Sequence, residues 1–341
     1  MTVEAFMTFC LHDPEFGYYA IRPRLGADGE FITAPIVSQM FGELIGLWAV
    51  ETWHALGAPA PFRLVEMGPG DGTLMSDLLR AVRVVPEFLA AAELWLVETS
   101  RPLRALQRER LAEPPRWAST LAEVPSGAPM ILIANELLDC LPARQFVCTE
   151  GGWAERRVGL DAKGDLMWGL SPAPGGFVPP PGLETVEPGS VIEISPMQES
   201  LGAEVGALIA RDGGAALFID YGRNRPEPGD TLQALMNHRK VDVLPTAGEA
   251  DLTVHADFPA FAAAARAAGA EATTVVSQRD FLLSLGIEYR AKALAAARPD
   301  RANTIARQLH RLIDPDEMGV LFKAVCLHQT GLEVAGFGPL L

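Results

Sequence analysis

Residues 64 to 76, "LVEMGPGDGTLMS", set an apolar run against an acidic residue, glycines at 68, 70 and 72, and a restart at helical spacing. A strand that ends in such a turn and feeds a helix is the unit of a parallel α/β sheet, and its glycines let a ligand approach the backbone closely. The neighbouring chain repeats the rhythm. "FRLVEM" (62–67) predicts a buried strand and "TLMSDLLRAVRVV" a helix; "ELWLVE" (93–98) predicts the next strand, with Ser100 and Pro102 in the first turn of the helix "LRALQRERL". "PRWAST" and "PMILIANELL" (129–138) supply two further strands. The alternation predicts an α/β fold with a parallel sheet and helices on both faces.

The rhythm breaks after residue 143. "RQFVCTEGGWAERRVGLDAKGDLMWGLS" reads as two or three short antiparallel strands, and "PAPGGFVPPPG" as a loop, so about 144–190 is expected to be an inserted, β-rich flap. The α/β pattern resumes with a helix near 195–211 and the strand "AALFIDYG" (215–222). It closes with a helix at 256–268 and the strands "EATTVVS" and "GVLFKAVCL" (319–327). Ahead of all this, "VEAFMTFCL" and "SQMFGELIGLWAVETWHAL" predict helices flanking the loop "GYYAIRPRLGADGEFITAP". Two regions are therefore expected: a helical and loop segment over 1–60, and a sheet domain over 61–341 that carries the insertion.

Composition narrows the function. A chain of 341 residues, 49% hydrophobic and 21% charged, can bury a sizeable core. A net charge of −15 argues against a protein built to grip nucleic acid, which needs clustered Lys and Arg, and leaves room for a basic protein segment as partner. No apolar run is long enough to span a bilayer, and the first residues have no basic flank or transit character, so a cytoplasmic location is the default expectation. The 4 cysteines are scattered without a C-x-x-C, and the 6 histidines show no ligand-like spacing; no metal site is expected.

Three ligand classes use glycine turns of this kind: dinucleotides, nucleoside phosphates and S-adenosylmethionine (SAM). The spacing G-x-G-x-G puts Thr73 where the dinucleotide fingerprint needs its third glycine, and no Gly-Lys-Ser/Thr follows, so neither a dinucleotide site nor a P-loop is indicated. Glu66 just before the glycines, and Glu98 ending the next strand where it can accept ribose hydroxyl hydrogens, favour SAM over a purely structural turn. "IANELLDCLP" ends the fourth strand with Asn135, Glu136 and Asp139, candidates to orient a nucleophile or take its proton. "FIDYG" brings Asp220 and Tyr221 to the same edge. Helix capping and solvation are the competing explanation for Asp139.

The chain resembles the MidA-like SAM-dependent methyltransferases. The resemblance runs from "HDPEFGYY" through "FITAPIVSQMFGELIGLW", "EMGPGDGTLMSDLLR", "ANELLDCLPARQF", "EISP", "FIDYG", "GDTLQALMNHRKVD" and "GEADLTVHADF" to "MGVLFKAVCL", in order over nearly the whole length. It implies a class I SAM-dependent methyltransferase (Rossmann-like) fold, SAM as cofactor, and a protein arginine as acceptor. The family's mitochondrial member is an assembly factor of respiratory complex I that dimethylates an arginine of a subunit. The resemblance also implies that the stretch around Thr33, Pro35, Ser38 and Gln39 closes over the cofactor.

On this reading Glu66, Gly68, Gly70, Gly72, Glu98, Ser119, Thr33, Pro35 and Gln39 hold the cofactor, and Glu136, Asp139, Asn135 and Asp220 serve the acceptor. Three departures from the family pattern bear on the site. Ser119 stands where a carboxylate meets the adenine amino group, Ile36 replaces a usual Glu, and Leu137–Leu138 replace an aromatic pair. Asp71, where many relatives have Arg, is expected either to meet the cofactor's ammonium or to face water. Two other functions stay open at this level: a non-catalytic assembly chaperone that binds a respiratory subunit, and a small-molecule methyltransferase.

Overall fold

The computed structural model describes residues 1–21, 33–237 and 239–338. The parallel core of the central sheet is β1 (Phe62–Met67), β2 (Ala92–Val97), β3 (Arg116–Ala118), β4 (Met130–Asn135) and, after the insertion, a strand at Gly214–Arg223. Between them, β5 (Arg144–Thr149), β6 (Gly152–Leu160), β7 (Leu166–Pro172) and β8 (Val191–Ile194) form a separate antiparallel sheet in the order β7-β6-β5-β8. The strand at Gly214–Arg223 is β9. It is followed by the small sheet of β10 (Gln233–Met236), β11 (Arg239–Val241) and β12 (Asp251–Thr253). Two-residue strands β13 (Ala256–Asp257), β14 (Glu271–Ala272) and β15 (Val276–Ser277) precede the closing β16 (Phe322–His328).

The central order is β3-β2-β1-β4-β9-β16-β14. β16 runs antiparallel to β9, so the sheet is mixed rather than purely parallel. Two predicted boundaries also move. "GVLFKAVCL" becomes a strand only from Phe322, because Met318–Leu321 wind into a helical turn. "EATTVVS" is not one strand but two fragments. Between them the Thr273 hydroxyl accepts the Cys326 N–H at 3.0 Å, putting a side chain where a ladder carbonyl would sit.

Alternation along the strands decides which helices cover each face. Leu64, Ile131, Ile133, Leu217 and Ile219 point to one side, where they join Phe41 and Trp48 of a long helix at Gln39–Ala55. Their chain neighbours Val65, Leu132, Ala216 and Phe218 point to the other, against Val205, Ile209 and Phe261. Phe218 and Phe261 meet edge-on with ring centroids 4.6 Å apart. Burying side chains of this size stabilises the fold by about 1.5–3 kcal/mol each.

In chain order the helices that matter for the site are α1 (Val3–His12), α2 (Tyr18–Ile21), α3 (Ala34–Val37), α4 (Gln39–Ala55), α5 (Thr73–Ala81), α6 (Pro86–Ala91) and α7 (Arg101–Arg110). The loop expected between the first two long helices falls mainly on residues 22–32, outside the described residues; its ends are the short helices α2 and α3. The Thr2 hydroxyl caps α1 by accepting the Ala5 N–H at 3.0 Å, and the helix buries Val3, Phe6, Met7, Cys10 and Leu11 at helical spacing. That face packs on Val158 of β6, Leu252 of β12, and Cys140 and Ala143 beyond β4. The sequence start, the flap and the end of β4 are thereby held together, and β1 lies between β2 and β4, the reversal point where such sheets open a crevice.

Candidate active site

The turn after β1 is built for backbone exposure. Gly68, Gly70 and Gly72 have φ of 63°, 55° and 83°, left-handed values that side-chain-bearing residues rarely adopt. A Cβ on Gly68 would stand 3.0 Å from Leu137 Cδ1, so the turn is pressed against the segment that follows β4. Gly72 offers no capping side chain to α5, and Asp71 supplies one instead. Its Oδ1 accepts the Thr73 N–H at 3.0 Å and the Thr73 hydroxyl at 2.6 Å, while Oδ2 pairs with Arg110 at 2.8 Å. Asp71 therefore holds the turn through both oxygens while it also lines the cavity described next.

A cavity of about 300 Å³ opens at the carboxyl ends of β1, β2 and β4. One end is lined by Glu66, Gly68, Gly70, Glu98 and Ser119, with Thr33 and Pro35 contributed by the amino-terminal segment. Glu66 is 3% exposed, and its Oε2 has no hydrogen-bond partner among the described residues. Burial, and then the charges of Asp71 and Glu98, push its carboxyl up to about 8. Glu98 accepts the Ser100 N–H at 2.7 Å and is raised by burial. The Ser119 hydroxyl lies 3.2 Å from Arg104 Nη2, from which it accepts, and the Ser119 N–H donates to Glu123 at 2.8 Å.

The other end holds Asn135, Glu136, Asp139 and Cys140, together with His12, Tyr19 and Asp251. Glu136 has φ of 52°. A left-handed conformation at a residue with a long side chain is a strained arrangement that its surroundings must enforce. They do so through hydrogen bonds: the Glu136 N–H donates to Ile219 O at 2.9 Å, and its Oε1 accepts the Ala34 N–H at 3.2 Å and the Asn135 amide at 3.0 Å. Burial, then the Asp139 charge, raise the Glu136 carboxyl to about 7. Burial also raises Asp139. The Tyr19 hydroxyl donates to Asp251 at 3.0 Å, and His12 Nε2 lies 3.1 Å from Cys140 O.

Three residues expected at the site stand elsewhere. Gln39 turns its amide along α4 to Glu43 at 3.0 Å, because it occupies the exposed side of a first turn whose Met40 and Phe41 are buried. Gly72 does not line the cavity; its backbone packs against Gln107. Asp220 is 1% exposed and lies behind the cavity wall, its carboxylate accepting backbone N–H groups of Leu138, Asp139 and Tyr221. Sequence reasoning missed Tyr19, His12 and Asp251. The stretches "HDPEFGYY" and "GEADLTVHADF" carry them, yet nothing local in either says that the two meet. Among the described residues, no group of three or more His, Cys, Asp or Glu is arranged to hold a metal ion.

The donor set suits a SAM-like ligand. A buried carboxylate with an unpartnered oxygen calls for a hydrogen-bond donor such as an ammonium, a second carboxylate at a strand end suits a vicinal diol, and bare left-handed glycines admit the backbone approach between them. The comparisons with known proteins agree. Residues 44–276 match the family model described as "Putative S-adenosyl-L-methionine-dependent methyltransferase". The chain belongs to that family. Over 349 residues this methyltransferase is 34% identical to the protein arginine methyltransferase NDUFAF7, mitochondrial, of Mus musculus, covering 94% of this chain and 79% of that protein. The Drosophila melanogaster homolog of the same name is 33% identical over 361 residues, covering 95% and 80%. A Burkholderia thailandensis crystal structure bound to S-adenosyl-homocysteine superposes with a TM-score of 0.84 at 28% identity, covering 100% of this chain and 89% of that one.

These relatives correct one expectation. The curated proteins are named as mitochondrial, so the default cytoplasmic location does not stand. The reason is physical: charge and hydropathy report what a chain can cross or grip, and among the described residues no helix is long and apolar enough to cross a membrane, but neither property specifies a compartment.

Proposed function

We propose that this SAM-dependent methyltransferase methylates an arginine side chain of a protein, a subunit of a respiratory complex, during assembly of that complex. The observation that carries the proposal is Glu136: a strained, half-buried carboxylate on the same cavity as the glycine turn, with Asp139, Asp251 and Tyr19 beside it. An acidic chamber of this kind suits a planar cation with several N–H donors. The names of the curated relatives point the same way.

In this reading Glu66, Glu98 and the backbone of Gly68 and Gly70 hold the cofactor, with Ser119, Thr33 and Pro35 completing its surroundings. When bound, the cofactor supplies a methyl group on a sulfonium. Glu136 and Asp139 bind the guanidinium and turn one nitrogen toward that methyl. The guanidinium nitrogen must give up a proton as the new N–C bond forms, and Glu136, with its carboxyl near 7, is the acceptor placed to take it. Asn135 holds the Glu136 carboxylate, and Asp220 holds the turn that carries Asp139. Residues 1–60 act as the cover of the cofactor site, supported by Thr33, Pro35 and Ile36 in its lining, and 144–190 as an insertion in the methyltransferase domain. Intact carboxylates at both ends of the cavity favour the enzyme over a non-catalytic chaperone.

The test is co-expression with candidate respiratory-complex subunits, followed by intact-mass and peptide mass spectrometry. Whole methyl increments on one arginine, absent with Glu136→Gln, are expected. Equal methylation by wild type and Glu136→Gln would remove Glu136 from the mechanism, and methyl groups found only on small molecules would overturn the protein-arginine reading.

A further inference from the structure

Gln107 is fully buried on α7 and does not line the cavity, yet its side-chain amide touches both halves of the cofactor end. The Trp117 indole N–H donates to its Oε1 at 2.8 Å. An indole nitrogen can only donate, so this contact fixes which way the amide points and aims its NH2 group at the two remaining neighbours. That group donates to the Gly70 carbonyl at 2.7 Å and reaches Glu98 Oε2 at 3.4 Å. Gly70 is the middle glycine of the turn, and Glu98 is the carboxylate at the end of β2. One helical turn earlier, Arg104 Nε donates to the Glu98 carbonyl at 2.8 Å, and its Nη2 donates to the Ala118 carbonyl at 3.1 Å. One face of α7 therefore ties together the carboxyl ends of β1, β2 and β3.

We propose that Gln107 is a positioning residue for the cofactor, a buried joint that sets the separation between the glycine turn and Glu98 without touching the ligand. The carbonyl of a left-handed glycine has no strand partner to hold it, and a buried carboxylate turns toward whatever donor is nearest. A single amide answering both keeps the turn open and presents the remaining Glu98 lone pairs to the cavity. Three partners with fixed chemistry (donor-only indole, acceptor-only carbonyl, acceptor carboxylate) leave the amide one orientation, and no other side chain of that length offers both a donor pair and an acceptor.

Calorimetry with S-adenosyl-homocysteine tests this on the whole chain, using Gln107→Asn, Gln107→Glu and Glu98→Ala, with melting temperatures to establish that each is folded. Gln107→Asn keeps the amide but falls one methylene short of Gly70, and its affinity should drop about tenfold. Gln107→Glu sets a carboxylate against Glu98, so its deficit relative to wild type should be large at about pH 8 and shrink toward about pH 5.5 as the introduced carboxyl is protonated. A merely structural role would lower the melting temperature without that pH-dependent ratio. The inference rests on Glu98 binding the cofactor. If Glu98→Ala weakens binding while the folded Gln107 variants bind like wild type at every pH, Gln107 is not the joint. If Glu98→Ala binds like wild type, the cofactor role of Glu98 fails first, and with it the joint.

Discussion

Asp220 and Asp139, 81 residues apart in sequence, are joined through the backbone: Asp220 Oδ2 accepts the Asp139 N–H at 3.1 Å and the Leu138 N–H at 2.7 Å. The carboxylate on β9 thus sets the path of the turn after β4, and that turn carries Glu136 and Asp139 to the cavity. Asp220→Asn keeps the size but puts an amide NH2 where one of the two accepting oxygens stood. Methyl transfer should fall about 10- to 100-fold while S-adenosyl-homocysteine affinity stays within about threefold. Parallel kinetics and calorimetry check it; equal losses in both would mean that Asp220 supports the whole site rather than the acceptor turn.

The left-handed backbone at Glu136 makes stability and activity pull apart. Glu136→Gly removes the conformational strain, worth about 1 kcal/mol, and removes a half-buried carboxyl. The variant should melt about 2 °C higher and be inactive toward its protein acceptor. Differential scanning calorimetry beside a methylation assay reads both; a lower melting temperature would show that the Ala34 and Asn135 hydrogen bonds outweigh the strain.

Cofactor binding should release protons. Glu66 lies near 8, so it tends to hold a proton while no donor faces its free oxygen. A ligand that brings an ammonium favours the ionised form of Glu66 and lowers its pKa. Affinity for S-adenosyl-homocysteine should therefore rise between about pH 6 and about pH 8, with a proton release visible as a buffer-dependent heat in calorimetry. Glu66→Gln should flatten the rise.

The ligand-free protein has the opposite slope. Glu66, Glu136, Asp139 and Asp220 all have pKa values raised above the unfolded ones, so the folded state binds more protons in that range. Their contribution is fully present below the unfolded carboxyl values and is lost as pH rises through the folded ones, up to about 8 for Glu66. The melting temperature of the ligand-free chain should decline from about pH 5.5 to about pH 8.5, and saturating S-adenosyl-homocysteine should offset the decline most at the upper end.

Asp71 caps the helix that follows the glycine turn. Asp71→Ala strips the start of α5 of a side-chain acceptor and breaks the pair with Arg110, and should destabilise the chain by about 1–2 kcal/mol. Urea denaturation gives the value directly; an unchanged midpoint would mean that the turn holds itself without the cap.

Local features were legible in the chain. The strand at 62–67, its glycine turn and α5 follow from an apolar run, three glycines and helical spacing within a few residues of one another, and Glu98 follows from ending the next strand. Their neighbours in space are their neighbours in sequence, so pattern alone determined them, and the order of short motifs determined the family. Which side chains face the cavity was decided by tertiary packing. Gln39 is turned toward Glu43 by the direction of α4, Asp220 is covered by the turn it holds, and Tyr19 meets Asp251 across 232 residues of chain. Gln107, unremarkable in "LRALQRERL", becomes a joint only when α7 lays it between Gly70, Glu98 and Trp117. A carboxylate, a phenol or an amide has the same sequence signature wherever it points; its direction is set by the packing of elements that the chain brings together from far apart.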